Sequence, residues 1–313
     1  MNRPSTLTAP MRRDMSRRPR RPLSRLLPIY LLILPGMALF LLWTIYPLAD
    51  AFVMSFFQWN PNPRAASTYI GLANYRRALL DPIFWQAFGN VFLYAAVTVP
   101  VQMALGLAAA LLLNRSLPGR TVFRALYFIP FISSWVVVSF IFSYLFSAPQ
   151  GPVDYLLGDV VHIVPDTQSW FGDTTLALPA LMVLGIWKGA GWHMMMFLAG
   201  LQSVPPELHE AAQVDGASAW TRLRFITLPL LRPVATFIAV VAVLSAFGTF
   251  IQVFLITQGG PLHSTETPLT YGYTNAFSTF DFGYGAAITY IFAVVVFVLS
   301  MIQLRLFRRE AAS

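Results

Sequence analysis

Long apolar runs dominate the chain, and polar residues gather between them. Six stretches hold enough apolar residues to cross a bilayer: roughly 28–57, 87–113, 122–146, 175–200, 234–257 and 284–307. A hydrocarbon core of ~30 Å needs about 20 such residues in a helix rising 1.5 Å per residue. For the first run, only its first two-thirds are expected in lipid. Proline and glycine interrupt several runs, as at Pro35-Gly36, Pro100 and Gly106. A membrane bundle tolerates such interruptions, and small residues let helices approach closely. The pattern predicts an all-α membrane protein with six transmembrane helices.

The polar segments give the runs a direction. The 114–121 loop and its edge carry Arg115, Arg120 and Arg124. The 201–233 loop carries Arg222, Arg224 and Arg232, and the C-terminal end Arg305, Arg308 and Arg309. By contrast, the 147–174 loop has Asp154, Asp159, Asp166 and Asp173, the 258–282 loop has Glu266 and Asp281, and neither has a Lys or Arg. Basic loops stay cytoplasmic, so both termini and the 201–233 loop are expected there. The 58–86 loop dissents, with Arg64, Arg76 and Arg77. Its stretch Asn74–Phe88 reads as a short interfacial helix whose arginines reach the headgroups.

Composition agrees with a chain solvated by lipid. Only 11% of the 313 residues are charged and 57% are hydrophobic, against about 25% charged in soluble domains. The net charge of +8 does not indicate nucleic acid, because eight of the 21 basic residues lie in the first 25 positions, just before an apolar run. The expected organisation is a basic cytoplasmic tail over 1–27, a first helix and outer interfacial segment over 28–86, a core over 87–307, and a short tail over 308–313. Arginine pairs such as Arg12-Arg13 resemble twin-arginine signals, but proline and further arginine surround them, and the apolar stretch from Leu26 to Phe57 lacks a clear small-x-small cleavage site. With no cysteine, disulfides, thiolate metal sites and cysteine nucleophiles are excluded.

The 201–233 loop is more than a connector. Pro205-Pro206 stop one helix and pre-set the first turn of the next. Glu207 and Glu210 favour that helix's dipole. Gly216 is placed to end it in a left-handed cap, and Ser218 to cap a second short helix running through Arg224. The small residues Ala211, Ala212, Gly216 and Ala217 permit close approach by a partner. Pro229 and Pro233 are expected to mark re-entry into the bilayer.

Glu210-Ala211-Ala212, three residues, Gly216, nine residues and then Ile226-Thr227-Leu228-Pro229 resemble the EAA loop of binding-protein-dependent ABC importer permeases. Asp215-Gly216-Ala217 and Leu230–Pro233 are also of that type. Tyr69–Tyr75 and Thr257-Gln258-Gly259-Gly260-Pro261, followed by Thr267 and Tyr271, resemble the carbohydrate branch, closest to its maltose-F and glycerol-phosphate-A types. The likeness covers roughly 28–307. It implies a type I ABC importer transmembrane domain in a bacterial inner membrane, paired with a second permease subunit. It also implies two ATPase subunits that use ATP and Mg, and a binding protein that delivers sugar at the outer face. Glu210, Ala211, Ala212, Asp215, Gly216, Ile226, Leu228 and Pro229 would form the loop that docks the ATPase. The chain itself lacks the phosphate loop, which needs Gly-Lys; its only lysine is Lys188, preceded by Trp187. No cofactor, metal or catalytic residue is expected on it.

Isolated polar residues inside spans are costly and mark pathways. The candidates are Lys188 with Trp187, then Thr249, Gln252 and Gln102. Lys188 has two readings, a substrate contact or a packing role. Glycerol-3-phosphate or its diesters are the alternative cargo. An ion-coupled secondary transporter is the alternative class, but it favours intramembrane carboxylates or inverted repeats, and the spans have almost no Asp or Glu.

Overall fold

The computed structural model describes residues 23–62, 66–115, 118–149, 151–162 and 168–310. The arginine pairs before Leu23, Arg64 and Asp166 lie outside these. Two compact units are distinguished, 1–51 and 52–313. The first holds most of α1, which runs as Leu23–Phe40, a π-helical turn Leu41–Ile45, and Tyr46–Met54. Over Tyr30–Met54 none of its apolar side chains is buried.

In the second unit, β1 (Phe57–Gln58) and β2 (Thr68–Tyr69) form a small antiparallel ribbon. Next come α2 (Ala73–Leu80) and α3 (Pro82–Leu113). The expected single helix over Asn74–Phe88 is therefore divided. Asp81 precedes a proline, which disfavours helical backbone, and it adopts an extended conformation. Its carboxylate accepts from the Ile83 amide at 2.9 Å, capping a new helix with Pro82 in the first turn.

The expected span over 122–146 is two helices, α4 (Arg120–Ile132) and α5 (Trp135–Leu145), bent by 97°. Ser133 and Ser134 between them are extended, and the Ser134 hydroxyl caps α5 by accepting from Val136 N. α6 (Ala177–Gln202) is the central helix, with Leu181, Leu184 and Met194 fully buried. It meets α3 through glycine slots. A Cβ at Gly185 would overlap the Tyr94 hydroxyl, and one at Gly189 would lie 2.6 Å from the Gln102 amide. Gly191 turns to α4, where a Cβ would overlap the Tyr127 carbonyl oxygen. Such small-residue faces let membrane helices pack by close contact.

After α7 (Pro206–Val214), α8 begins at Ala219. It runs as Ala219–Arg222, a π turn Leu223–Thr227, and Leu228–Phe247 without a stop. This corrects one expectation: the second loop helix does not end near Arg224 but continues unbroken through Pro229 and Pro233. The widened turn explains why. Proline lacks an N–H and clashes with the carbonyl four residues back. In the π turn, the Leu228 amide reaches back five residues to Leu223 O, reorganising that carbonyl row just before Pro229. The same device precedes Pro47 in α1, where the Tyr46 amide bonds Leu41 O. After α8 come α9 (Ile251–Ile256), α10 (Pro268–Phe277) and α11 (Phe282–Glu310); a short helical segment, Pro152–Asp154 continued by a π turn Tyr155–Val160, lies between α5 and α6. Among the described residues, five helices are long and apolar enough to cross a membrane, or six if the bent α4–α5 pair counts as one span.

Candidate functional site

A cavity of about 310 Å3 opens among α3, α4, α5, α6, α8 and α9. Lys188, Gln102, Thr249 and Gln252 all border it. Trp187 does not. Successive helical residues point about 100° apart, and Trp187 packs on Phe142 with ring centroids 5.3 Å apart.

Thr249 and Gln252 reach the cavity because α8 ends at Phe247 and α9 restarts after the Gly248–Phe250 break. Both are buried. The Thr249 carbonyl accepts from Thr267 Oγ1 at 3.2 Å. Gln102 Nε2 donates to the Gly185 carbonyl at 2.8 Å. Lys188 is 2% exposed. Its Nζ donates to the carbonyls of Pro130, Phe131 and Ser133 at 2.8, 3.1 and 2.6 Å, and lies 4.8 Å from the Trp135 ring centroid.

Tyr94, Thr98, Ser245, His193 and Trp135 also border the cavity, and sequence reasoning did not select them. A signal for two of them was present: Tyr94, Thr98 and Gln102 recur every four residues, which sets them on one face of α3. His193 Nδ1 lies 2.8 Å from the Gly189 carbonyl. A carbonyl only accepts, so Nδ1 carries a proton, and Nε2 has no partner among the described residues. Among those residues no carboxylate borders the cavity. It presents hydroxyls, amides and an imidazole beside the flat faces of Phe131, Trp135 and Trp192. That combination suits a polyhydroxylated ligand, whose hydroxyls both donate and accept.

The 201–233 loop is built in the opposite way. α7 buries none of its residues. Glu210, Ala211, Asp215 and Gly216 are exposed, and Ala212 is half-buried. Gly216 has φ +77°, and a Cβ there would touch nothing within 4 Å. Its amide bonds Gln213 O at 3.1 Å, and the Ala217 amide bonds Ala212 O at 2.9 Å; this pair closes the helix as a Schellman motif. Ser218 Oγ accepts from Thr221 N at 3.1 Å and starts α8. Ile226 and Pro229 are half-buried and Leu228 is exposed. Val214 and Trp220 stand 88% and 66% exposed.

A third polar cluster sits at the start of α3. Asp81 Oδ2 accepts from Tyr271 and Tyr284 hydroxyls. Burial acts to raise the Asp81 carboxyl, but those bonds and the Ile83 and Phe84 amides hold it below its ordinary 3.8. Burial and the bond to Asp81 push Tyr271 up to about 12. Arg77 pairs with Asp281 at 2.6 Å and lies over the Tyr284 ring, so one of the dissenting arginines of the 58–86 loop is neutralised locally.

Residues 102–311 match the family described as binding-protein-dependent transport system inner membrane component. The sulfoquinovosyl glycerol transport system permease protein SmoG of Agrobacterium fabrum is 35% identical over 290 residues, covering 91% of this chain and 92% of that protein. The arabinooligosaccharides transport system permease protein AraP of Bacillus subtilis is 32% identical over 279 residues, 88% of this chain and 87% of its own. The lactose transport system permease protein LacF of Rhizobium radiobacter is 31% identical over 278 residues, 88% and 92%. A chain of a bacterial ABC transporter that imports the acidic polysaccharide alginate superposes with a TM-score of 0.81. That match covers 92% of this chain and 97% of the other at 23% identity, a likeness of fold. The chain thus belongs to the family of binding-protein-dependent transport system inner membrane components, the permeases of ABC importers.

Proposed function

We propose that the chain is one of two permease subunits of an ATP-driven importer that carries a sugar or oligosaccharide into the cell. The observation that carries this reading is the loop over Glu210–Gly216. Its backbone hydrogen bonds are closed on themselves, while its small and apolar side chains are left exposed. A surface of that kind is suited to sit against another protein. The partner is an ATPase subunit, present in two copies, which uses ATP and Mg; this chain contributes no catalytic group. The termini and the loop face the cytoplasm, and a binding protein delivers the sugar at the other side. Closure of the ATPases moves two such loops together, and the permease pair switches between inward-open and outward-open states.

The sugar reading draws support from the cavity, which is lined by hydroxyl and amide groups together with the aromatic residues Phe131, Trp135 and Trp192. Relatives named for lactose, arabinooligosaccharides and sulfoquinovosyl glycerol point the same way. Glycerol-3-phosphate is the weaker reading, because Lys188, the cation that would attract a phosphate, has its three protons engaged by carbonyls.

Gly216→Asp tests the docking assignment. A side chain at Gly216 meets no neighbour, so the variant is expected to insert in the membrane. The new bulk and charge on the docking surface should abolish both uptake and co-purification of the ATPase. Uptake at the normal rate would refute the docking role.

A further inference from the structure

We propose that Lys188 is a positioning residue: its ammonium pins the break between α4 and α5 and so fixes Phe131 and Trp135 as the aromatic wall of the cavity. A helix that ends inside a protein leaves its last carbonyls without amide partners. In α4 the backbone ladder ends with Ser133 N–H on Ile129 O at 3.2 Å. The chain then turns by 97°, and the carbonyls of Pro130, Phe131 and Ser133 converge on one point. Lys188 Nζ occupies that point at 2.6 to 3.1 Å.

The count closes. An ammonium has three N–H donors and no acceptor, and three carbonyls take them. Among the described residues no carboxylate pairs with Lys188. The charge is met instead by the negative end of α4 and by the Trp135 face at 4.8 Å. A lysine serving as a substrate ligand would keep a donor turned to the cavity. The two residues flanking the pinned turn, Phe131 and Trp135, both border the cavity. The pin therefore acts on the cavity through them. Calling that cavity the sugar path rests on the function proposed above, whereas the pin itself does not.

The test uses the assembled importer, with its partner subunits, in lipid nanodiscs and without sugar. The chain has no cysteine, so Ser245→Cys places a single thiol at the cavity, with N-ethylmaleimide as the probe of its wall. Hydrogen–deuterium exchange reads the bend. Lys188→Met is expected to speed exchange over 131–138 by about tenfold or more and leave α11 unchanged. It is also expected to speed maleimide labelling at position 245 by a similar factor. If neither quantity moves, Lys188 is not the pin and the proposal fails. Faster exchange with unchanged labelling overturns the positioning of the wall and leaves a purely structural lysine. Should Lys188→Met fail to insert, Lys188→Gln, which keeps two N–H donors on a shorter stem, is read by the same two measurements. Neither readout involves sugar, so failure of the pin and failure of the sugar reading are separable.

Discussion

The cavity region and the 201–233 loop, proposed above as pathway and docking surface, treat their side chains in opposite ways. Around the cavity, several polar groups are turned onto the protein's own backbone, with His193 Nε2 the exception: Lys188 on three carbonyls, Gln102 on Gly185 O, His193 Nδ1 on Gly189 O. In the loop it is the backbone that closes on itself, through the Schellman pair after Gln213, and none of the α7 side chains is buried. The contrast follows from solvent. In a low-dielectric interior an unmade hydrogen bond costs about 1–3 kcal/mol, so a pathway must first satisfy its own groups. A docking surface in water has no such penalty and can leave its side chains for a partner. Substitutions in the cavity region should therefore register in the fold, and substitutions in the loop in assembly.

The largest expected effect is at Gly191. A Cβ there overlaps the Tyr127 carbonyl oxygen, a backbone atom that cannot swing aside. Gly191→Val should destabilise the α4–α6 contact by about 3 kcal/mol, seen as loss of monodisperse permease on solubilisation. Gly216→Ala supplies the contrast. It meets no atom and must only tolerate φ +77°, at about 1 kcal/mol, felt within the loop. Equal destabilisation by the two would remove the distinction between the regions.

The two regions were also unequally legible in the sequence. The loop's helix stop, glycine cap and serine cap rest on residues adjacent in sequence, and Pro206, Gly216 and Ser218 stand where local chemistry puts them. The continuation of α8 through Pro229 was missed, because π turns have no strong sequence signal of their own. The cavity was legible only as isolated polar positions. Whether Lys188 faces a ligand or a carbonyl depends on the bend at Ser133-Ser134, 55 residues earlier at its nearest bonded carbonyl. Hydropathy reads 122–146 as one apolar run and says nothing of that bend. Similarly, Trp187 and Lys188 are neighbours in sequence but occupy different faces of α6.

Asp81 sharpens the comparison with an intermediate case: a partly buried carboxylate satisfied by two hydroxyls from distant helices. Its folded-state value is depressed below 3.8. The stability it contributes is therefore complete above that ordinary value and is lost as pH falls through the lowered one. Asp81→Asn should remove this acid-side dependence and lower the melting temperature at neutral pH by about 2–4 °C. Thermal scans between pH 3 and 7 on both proteins read the two effects. A wild-type curve flat over that range would show that the hydroxyl pair does not favour the ionised form.

The smallest effect is expected at Ser218, and it separates fold from docking most cleanly. The Ser218 hydroxyl accepts from the Thr221 amide at 3.1 Å and lies 2.8 Å from the Thr221 hydroxyl, all on the exposed loop. Replacing a serine cap with alanine costs about 1 kcal/mol of local helix stability. Here the first turn of α8 is held at its other end by a rod running to Phe247, and fraying at one exposed end opens locally, far below the global transition. Ser218→Ala should leave the melting temperature of the permease within about 1 °C of wild type, while exchange at the amides of 219–222 rises by roughly fivefold. If the docking surface needs this turn ordered, ATPase association weakens in step with that exchange, with no change in the cavity. A full-sized drop in melting temperature would mean that the loop is part of the packed core, and the opposition between a self-satisfied pathway and an open docking surface would fall.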